Sequence, residues 1–490
     1  MTATKKLLAF DLGAESGRGL VGLFDGKTIS LDVVHRFPNG AVKTLDTMHW
    51  DVLGLYTEML NGMRAAAQKY NSVDSVGVDT WGVDFALLGR NGSLLGNPRH
   101  YRDPHTENIM EEAFQKVPKM EIFLKTGIQF MQFNSLFQLL AMKRDQSPLL
   151  DVAENLLFMP DFFHYLFTGI KVNEFTDAST SQMIDPHGGN WAFDLIEKLE
   201  LPANILGTIV KPGSVLGPLR PAIASETNLN PAQVVLPATH DTASAVAAVP
   251  ATGNDWAYIS SGTWSLMGVE TDRPMVNEQA HQYNFTNEGG FGGTTRFLKN
   301  IMGLWLVQEC RRIWKRDGQD FTYDQLVQKA KAAPAFVSLV NPDDASFLLP
   351  TSMPDALATF CKKTNQPAPQ EPGAFVRCCL ESLALRYRWV LEKLGELAGK
   401  KYSAIHIVGG GSQNALLNQL TADACNCPVY AGPVEATAIG NVLVQAVGLG
   451  VIGNLQEARD VVRDSFEVQK FEPKQPDAWE EPYQRFMSFI

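Results

Sequence analysis

The feature that most constrains the fold of this chain is a strand–turn–strand pattern that occurs near the start of each half. An apolar segment at residues 7–10 is followed by small and hydroxyl residues and then by a second strand-like segment at 19–24. Residues 256–260, 261–263 and 264–269 repeat that order in the second half. Glycine and other small residues let backbone N–H groups approach an anion closely. We therefore predict two lobes of one architecture, each with a hairpin that can face phosphate groups.

The rest of the first half alternates between strand and helix patterns. Asp25-Gly26 is typical of a tight hairpin, and residues 27–34 continue as a third antiparallel strand. Residues 53–70 have helical periodicity, and residues 75–80 form a short apolar run that is typical of a buried strand. This alternation predicts an α/β fold.

Length and charge limit the number of domains and the kinds of partner. The 490 residues are enough for roughly two to four domains. The stretch at 250–254, rich in small residues, is the best candidate for a linker between predicted domains 1–248 and 249–490. A net charge of −11 argues against non-specific binding to nucleic acid or to an anionic membrane. We expect no nucleic-acid partner.

The sequence also indicates a compartment. The N-terminal apolar segment ends at Asp11 and is too short for a signal peptide, and no run is long enough to span a bilayer. The six cysteines include no C-x-x-C pair, so we expect free thiols rather than a zinc site. We therefore predict a cytoplasmic protein with no membrane partner.

Two glycine motifs in the first hairpin would suggest other nucleotide-binding folds. Residues 17–22 fit the G-x-G-x-x-G motif of a dehydrogenase, which requires a helix directly after the glycines. Here the residues continue as a strand, and this alternative class would have to show nucleotide-dependent hydride transfer. Residues 26–28 resemble the end of a P-loop, but Val21 stands where that motif needs glycine. We interpret both motifs as parts of the hairpin.

The turn at residues 11–18 has the composition expected of a phosphate-binding loop. It combines glycines and a hydroxyl residue with Asp11 at the end of the strand. A carboxylate there could hold Mg²⁺ directly or through water. The alternative is an exposed hairpin tip with a buried capping aspartate. The matching turn at 260–263 favours the first interpretation, because two such hairpins could hold the phosphates of one nucleotide.

A third glycine segment follows a predicted strand at residues 402–408. Gly409-Gly410-Gly411 leads into a helical pattern that begins near Asn414. This position would let the backbone approach the adenosine of a nucleotide, with a helix N-terminus nearby. A plain strand-to-helix turn is the alternative.

The strongest candidate for acid–base chemistry is His240-Asp241. An apolar strand at 234–236 ends just before these residues, and a small-residue helix starts directly after them. Asp241 would lie near the N-terminus of that helix, whose dipole favours the ionised carboxylate. The alternative is that Asp241 only caps the helix.

Five segments in the chain are similar to those of a known family. They are residues 11–18, 161–169, 176–181, 240–246 and 260–265. Together they resemble the FGGY carbohydrate kinases over nearly the whole chain, to about Val451. The resemblance implies an α/β fold of two ribonuclease-H-like lobes, as in actin and hexokinase, with a central cleft. It also implies that ATP, with Mg²⁺, phosphorylates a sugar hydroxyl.

Three further segments, 79–85, 101–103 and 292–305, favour the members of this family that phosphorylate a small ketose. The resemblance favours L-rhamnulose, phosphorylated at O1, with L-fuculose and L-xylulose as alternatives. Thr242 stands where glycerol kinases would carry glutamine, which counts against glycerol. An actin-like ATPase, which would hydrolyse ATP without a sugar, is the remaining alternative. Strong stimulation of turnover by a ketose would exclude it.

The resemblance also assigns roles to individual residues. Asp241 matches the general base that accepts the proton of the sugar hydroxyl. The substrate-binding positions match Gly82, His240, Asp241 and Thr242. The ATP-binding positions match Ala14, Glu15, Ser16, Gly17, Arg18, Thr263, Asn300, Gln308 and Gly410. Glu15 replaces the hydroxyl residue of many relatives, so we expect its backbone N–H to face phosphate. Asn300 and Gln308 are eight residues apart and would lie on one stripe of a helix.

Overall fold

Strands and helices alternate along residues 4–490, the part of the chain that the computed structural model describes. The strands are β1 (Lys5–Leu12), β2 (Ser16–Phe24), β3 (Ile29–Pro38), β4 (Ala41–Thr44), β5 (Thr47–Trp50), β6 (Ser75–Thr80), β7 (Phe85–Leu88), β8 (Asn155–Phe158), β9 (Asn173–Glu174), β10 (Ile184–Asp185), β11 (Asn190–Trp191), β12 (Ile209–Val210), β13 (Val215–Pro218), β14 (Gln233–Val235), β15 (Trp256–Ser261), β16 (Trp264–Thr271), β17 (Thr286–Gly289), β18 (Thr295–Met302), β19 (Ala404–Val408), β20 (Val429–Ala431) and β21 (Gln469–Phe471). The helices are α1 (Val52–Tyr70), α2 (Ile109–Lys116), α3 (Lys119–Thr126), α4 (Ser135–Arg144), α5 (Pro148–Val152), α6 (Met159–Thr168), α7 (Phe175–Ala178), α8 (Phe193–Lys198), α9 (Pro221–Thr227), α10 (Asp241–Ala247), α11 (Glu278–Gln282), α12 (Trp305–Arg316), α13 (Tyr323–Ala332), α14 (Met353–Lys363), α15 (Pro372–Ala398), α16 (Ala415–Cys425), α17 (Ala436–Gly448), α18 (Leu455–Ser465) and α19 (Glu480–Met487).

The chain forms two compact units, and neither is continuous in sequence. The first contains the residues up to Pro250 together with Glu270–Phe297 and Ala436–Phe466. The second contains Ala251–Val269, Leu298–Glu435 and Glu467–Ile490. The first break lies in the predicted linker. Because later segments return to the first unit, the linear domains 1–248 and 249–490 stay a prediction, and residues 1–3 lie outside the described part of the chain.

The first unit is built around a six-stranded sheet in the order β13-β14-β6-β1-β2-β3. β1 pairs antiparallel with β2, and β2 with β3, which confirms the three antiparallel strands predicted for this region. β1 also pairs parallel with β6, and β6 with β14. Parallel neighbours end at the same edge of a sheet, so the carboxyl ends of β1, β6 and β14 lie side by side.

Helix α1 forms because its apolar residues recur every three or four positions. The resulting face is buried and includes Leu55, Met59, Met63 and Ala66. At its N-terminus the carboxylate of Asp51 accepts a hydrogen bond from the backbone N–H of Gly54, at 3.0 Å. The predicted helix at 53–70 is thus confirmed within one residue.

Helix α17 packs closely against β2 and against helix α10 in the first unit because glycine is present at both contacts. A Cβ atom on Gly22 of β2 would lie 2.4 Å from the side chain of Val442 in α17. A Cβ atom on Gly440 of α17 would lie 1.8 Å from the carbonyl oxygen of Ser244 in α10. Since α10 begins at Asp241, this packing fixes the helix that carries the predicted base.

The second large sheet has seven strands in the order β17-β18-β16-β15-β19-β20-β21. β15 pairs antiparallel with β16 and parallel with β19, and β19 pairs parallel with β20. Each large sheet therefore contains a hairpin beside a parallel third strand, β2-β1-β6 in one and β16-β15-β19 in the other. The recurrence predicted from the two strand–turn–strand segments is confirmed.

One local prediction is wrong: Asn300 and Gln308 do not share a helix. Asn300 lies in β18, and Gln308 lies in α12. Between them the chain turns at Gly303, where a Cβ atom would lie 2.6 Å from the hydroxyl oxygen of Ser265. A spacing of eight residues indicates one helical stripe only where the helix is continuous. Here β18 continues to Met302, so Asn300 is in an extended strand and the helix that contains Gln308 starts only at Trp305.

Two predictions from composition can be compared with the described residues. All six cysteines lie within the described residues, and the structure joins none of them in a disulfide bond. The thiols of Cys361 and Cys378 lie close enough to share a hydrogen bond, which lowers the pKa of Cys361. No helix between residues 4 and 490 combines the length and the apolar composition needed to cross a bilayer.

Candidate active site

The first hairpin turn connects β1 to β2 and is held by Asn39. The backbone N–H of Gly13 donates to the carbonyl of Ser16 at 2.9 Å, which closes the turn. The side chain of Asn39 donates to the carbonyl of Gly13 at 2.7 Å, and its backbone N–H donates to that of Glu15 at 3.1 Å. Glu15 and Ser16 are exposed, and Gly17 is buried. The turn predicted to bind phosphate is therefore fixed from behind and open at its tip.

Asp11 forms an ion pair across this hairpin. The strand register places it opposite Arg18, whose Nε and Nη2 atoms both donate to Oδ2 of Asp11, at 3.0 and 2.7 Å. A Mg²⁺ ion would therefore bind Oδ1 or reach it through water, which suits an ion that keeps several of its waters. Among residues 4–490, no group of three or more His, Cys, Asp or Glu side chains is arranged to hold a metal. The predicted site would take its other ligands from phosphate and water.

A second carboxylate lies beside Asp11, and no motif predicted a role for it. Asp79 is the register partner of Asp11 on β6 and is fully buried. Its Oδ2 accepts a hydrogen bond from the side-chain amide of Asn441 at 2.5 Å. Burial and the nearby carboxylates of Asp11 and Asp241 raise the pKa of Asp79 well above its ordinary value, and Asn441 opposes this shift. An aspartate inside an apolar strand was the only sequence signal for this position.

His240 and Asp241 lie at the start of α10, beside the end of β6. The backbone N–H of Thr80 donates to the carbonyl of Thr239 at 2.9 Å, so the segment before His240 runs parallel to β6. Asp241 is partly exposed; its Oδ1 accepts the hydroxyl of Thr242 at 3.0 Å and lies 3.5 Å from Nε2 of His240. Burial raises the pKa of Asp241, and His240 opposes the shift. The helix dipole was predicted to lower the pKa of Asp241. Loss of hydration on burial acts in the opposite direction and makes the carboxylate more basic.

A buried glutamate holds the backbone that carries these two residues. Oε2 of Glu174 accepts the backbone N–H of Thr239 at 3.1 Å and its hydroxyl at 2.7 Å. The backbone N–H of His240 donates to the hydroxyl of Thr176 at 3.2 Å. The backbone N–H of Glu174 in turn donates to both carboxylate oxygens of Asp161, at 3.1 Å. Segments 161–169 and 176–181 therefore hold the backbone next to the predicted base in place. Their residue types alone did not predict this role.

Gly82 lies in a strained turn directly after β6. A Cβ atom at this position would lie 2.9 Å from the hydroxyl oxygen of Thr180. The next residue, Val83, has a φ of 67°, which is unfavourable for a β-branched residue. Its backbone N–H donates to the same Thr180 hydroxyl at 3.0 Å, which holds the strained conformation. Such strain persists only where the surroundings impose it, and it is concentrated at functional sites.

A buried acid surrounded by aromatic rings lies next to Gly82. The carboxylate of Asp84 accepts four hydrogen bonds, from Trp50 Nε1 at 2.6 Å, Trp81 Nε1 at 3.0 Å, Tyr101 N at 3.2 Å and Gln138 Nε2 at 2.8 Å. Burial outweighs these donors and raises the pKa of Asp84 to about 7. The ring of Trp50 stacks on those of Trp81 and His100, at 3.8 and 4.1 Å between centroids. Burial lowers the pKa of His100 to about 3, so this ring is neutral near pH 7.

In the second unit, the turn between β15 and β16 is tied to helix α12. The backbone N–H of Gly262 donates to the carbonyl of Trp264 at 2.8 Å. The N–H of Trp305, the first residue of α12, donates to the carbonyl of Thr263 at 3.1 Å. Gln308 lies one turn further along that helix, and its Oε1 is buried without a hydrogen-bond partner among residues 4–490. This connection places Thr263 and Gln308 in one local structure, although no helix joins Gln308 to Asn300.

The glycine segment after β19 packs against the same hairpin. A Cβ atom on Gly411 would lie 2.0 Å from the hydroxyl oxygen of Ser261, so only glycine permits this contact. Gly409 has a φ of 84° and also lies against Ser261. Gly410 is exposed and has no atom within 4 Å of its ideal Cβ position. The backbone at Gly410 is therefore open to a ligand.

The predicted site residues fall into two groups. The first unit brings one group to the edge where β1, β6 and β14 end: Asp11, Ala14, Glu15, Ser16, Gly17, Arg18, Gly82, His240, Asp241 and Thr242. The second unit holds the other group: Thr263, Asn300, Gln308 and Gly410. Within each unit the predicted residues lie in the hairpin, in a neighbouring strand, or in the turn or helix that follows a strand.

Both halves of the chain match one family. The N-terminal domain of the FGGY family of carbohydrate kinases matches residues 6–248, and its C-terminal domain matches residues 257–449. The rhamnulokinase of Bacteroides thetaiotaomicron is 43% identical over 99% of this chain and 99% of its own length. The rhamnulokinase of Oceanobacillus iheyensis is 42% identical over 94% of this chain and 97% of its own.

Solved structures share the fold at low sequence identity. A ligand-bound xylulose kinase from Lactobacillus acidophilus has a TM-score of 0.81 at 16% identity, covering 99% of this chain and 97% of that one. A glycerol kinase from Plasmodium falciparum with ADP has a TM-score of 0.76 at 15% identity, with the same coverage of 99% and 97%. The predicted α/β fold class, with two lobes of the actin and hexokinase type, is confirmed. With both family domains matched, the chain is an ATP-dependent sugar kinase and belongs to the FGGY family of carbohydrate kinases.

Proposed function

We propose that this kinase transfers the γ-phosphoryl group of ATP to the O1 hydroxyl of L-rhamnulose, giving L-rhamnulose 1-phosphate and ADP in L-rhamnose catabolism. Two relatives named rhamnulokinase, 43% and 42% identical over nearly the whole chain, support this substrate. The structural observation that carries the proposal is the partly exposed carboxylate of Asp241, at the edge that also holds Asp11 and Gly82. L-fuculose and L-xylulose stay as alternative acceptors.

In this proposal Asp241 is the general base. Thr242 and His240 both contact its Oδ1, which leaves Oδ2 to accept the proton of the sugar hydroxyl. The sugar would lie against Gly82, His240 and Thr242. Phosphoryl transfer requires mainly positioning and charge neutralisation, so the proton moves late, once the hydroxyl oxygen is already bonding to phosphorus.

Each of the two units carries residues that are proposed to contact ATP. In the first unit, residues 14–18 would face the phosphates. In the second, Thr263, Asn300, Gln308 and Gly410 would contact the nucleotide. The open backbone at Gly410 and the buried Oε1 of Gln308 support this assignment.

The residues around Asp11 fit a Mg²⁺ ion that is held mainly by phosphate and water. One oxygen of its carboxylate is bonded to Arg18, and the other stays available as a single protein ligand or a partner for bound water. When bound, the ion would neutralise charge on the transferred phosphoryl group. Arg18 would keep Asp11 in one orientation while the nucleotide enters.

We further propose that the two lobes correspond to residues 1–248 and 249–490, close to the two matched family domains. A net charge of −11 supports a cytoplasmic enzyme whose partners are ATP and a small ketose, without nucleic acid or membrane.

The substrate and the position of the phosphate can be tested together. The purified protein is given ATP and Mg²⁺ with an equimolar mixture of L-rhamnulose, L-fuculose and L-xylulose, and the products are followed by phosphorus and carbon NMR. The proposal predicts that L-rhamnulose is consumed first and that its product carries phosphate at O1. Preferential consumption of another ketose, or phosphate at another carbon, would contradict it.

A further inference from the structure

A buried arginine makes three polar contacts behind His240, two in hydrogen-bond geometry and one as an ion pair. Arg296 of β18 is fully buried, which is rare for an arginine. Its Nε donates to the carbonyl of Gly289 at 2.7 Å, and its Nη2 lies 3.1 Å from Nδ1 of His240. Its Nη1 lies 3.1 Å from a carboxylate oxygen of Glu288. All four residues belong to the first unit, and the family resemblance assigned no role to Arg296 or Glu288.

The contact between Arg296 and His240 determines which ring nitrogen carries the hydrogen. A guanidinium group has only donors, so Nδ1 of His240 must be the acceptor. A neutral imidazole whose Nδ1 accepts carries its hydrogen on Nε2. That nitrogen faces Asp241, with 3.5 Å between Nε2 and Oδ1.

Glu288 offers His240 a second possible partner, which would favour the other tautomer of the ring. Its Oε2 lies 3.5 Å from the same Nδ1 atom of His240. Without the arginine, Nδ1 could donate to this buried carboxylate, and the hydrogen would leave Nε2. With the arginine present, Glu288 instead balances the buried guanidinium charge, which would otherwise be costly.

We propose that Arg296 is a positioning residue that holds His240 as an Nε2–H donor facing Asp241 and the sugar. In this state neither nitrogen of His240 can take the proton of the sugar hydroxyl, because Nδ1 is occupied by Arg296 and Nε2 already carries hydrogen. Of these two neighbouring residues, only Asp241 can then act as the base. The inference rests on the proposed function for its link to catalysis, but the tautomer itself can be measured in the free protein.

The direct test is NMR of the full chain labelled with ¹⁵N-histidine, with the His240 signals assigned by their loss in His240→Gln. Wild type should show hydrogen on Nε2 and a bare Nδ1. Arg296→Met should reverse this pattern. Hydrogen on Nδ1 in wild type, or an unchanged pattern in Arg296→Met, would overturn the proposal.

Two matched variants separate the tautomer from general damage to the core. Arg296→Lys keeps a cationic donor, and Glu288→Gln keeps the arginine, so both should retain hydrogen on Nε2. If Arg296→Met does not fold, the wild-type spectrum still decides the proposal, because hydrogen on Nδ1 there would overturn it. Loss of the Nε2 hydrogen in Glu288→Gln would contradict the proposal that Arg296 determines the tautomer of His240.

A double-mutant cycle tests the link to catalysis. Arg296→Met should lower kcat by about 10- to 100-fold, the scale expected when a catalytic group is misplaced by about 1 Å, and leave the KM for ATP unchanged. The side chain of His240→Gln offers an amide donor near the Nε2 position and has no tautomers. In that background Arg296→Met should cost no further activity. Equal losses in both backgrounds would show that Arg296 acts only on the structure.

The tautomer of His240 and the sugar substrate can be tested independently. If the NMR pattern is as predicted and L-rhamnulose is not phosphorylated, the tautomer assignment stands and the proposed function is wrong. If L-rhamnulose is phosphorylated and Nδ1 carries the hydrogen, only the role of Arg296 is wrong.

Discussion

The hairpins β1–β2 and β15–β16 have the same topology and different chemistry. Each pairs antiparallel and has a parallel strand beside it, β6 in one case and β19 in the other. The edge near the first hairpin carries the carboxylates of Asp11, Asp79 and Asp241. The edge near the second carries Ser261, Thr263 and three consecutive glycines.

This difference indicates how one architecture provides two functions. In the first unit, charges are held close together by burial, ion pairing and a strained turn, which suits proton transfer and metal binding. In the second unit, neutral hydroxyls and bare backbone allow close approach, which suits a nucleotide. Substitutions of the carboxylates in the first unit should therefore affect turnover, and substitutions in the second unit or in the first hairpin turn should affect nucleotide affinity.

The largest effect is expected for Asp241→Asn. Loss of a general base should lower kcat by about 10²- to 10⁴-fold, because the hydroxyl proton has no acceptor. The KM for ATP should be nearly unchanged, since nucleotide contacts are assigned elsewhere. Steady-state kinetics with the best ketose measures both constants. Asp255→Asn makes the same change at an exposed position and should be neutral; wild-type turnover in Asp241→Asn would refute its role.

Gly411→Ala should weaken the second unit. The added methyl group would lie 2.0 Å from the Ser261 hydroxyl oxygen and 2.9 Å from its carbonyl, so the backbone must shift. We expect a loss of about 1–3 kcal/mol in the free energy of unfolding, the usual cost of overpacking, together with weaker ATP binding. Urea unfolding and nucleotide titration measure these effects.

Gly410→Ala is the matched control, because its methyl group would meet no atom within 4 Å. Its stability should equal that of wild type, and any rise in the KM for ATP would then report direct contact with the nucleotide. Equal stability of both variants would show that the Gly411 contact is not required.

Turnover should also depend on pH through Asp241. Burial raises the pKa of this carboxylate, and only its deprotonated form can accept a proton. The value of kcat should therefore fall as the pH decreases, with a midpoint above the ordinary aspartate value of about 3.9. A kcat–pH profile at saturating ATP measures this limb, and a profile that stays flat down to that value would contradict the raised pKa.

The smallest effect is expected for Glu15→Ala. Its side chain is exposed, and the turn is held through its carbonyl by Asn39. The KM for ATP should change by less than about twofold, a surface-type effect of within ~0.5 kcal/mol. Asn39→Ala, which removes the bond to Gly13, should raise the KM more. A larger effect at Glu15 than at Asn39 would show that the side chain itself binds phosphate.

Local patterns were enough to predict the hairpins, helix α1 and the start of helix α10. They failed at Asn300 and Gln308, because the turn at Gly303 is imposed by packing on Ser265, which is distant in sequence. The spacing of two residues in the sequence shows that they would share one face of a helix if the helix were continuous. It does not show where tertiary contacts end that helix.

The residues that support the site could not be predicted from local sequence patterns for the same reason. Glu174 bonds a threonine 65 positions away, and Arg296 lies against a histidine 56 positions away. Local sequence did not mark Glu174 or Arg296, because the partners of a buried charge depend on the folded chain. The sequence therefore indicated candidates for the chemistry, and it did not indicate the residues that hold those candidates in place.

The most direct test of the proposed sugar kinase activity is ADP release by the purified protein with ATP and Mg²⁺. It is measured with L-rhamnulose, with glycerol and without any sugar. We predict strong stimulation by L-rhamnulose over both other conditions, because transfer requires a sugar hydroxyl at Asp241. Equal ADP release under all three conditions would contradict the account and would indicate an ATPase without a sugar substrate.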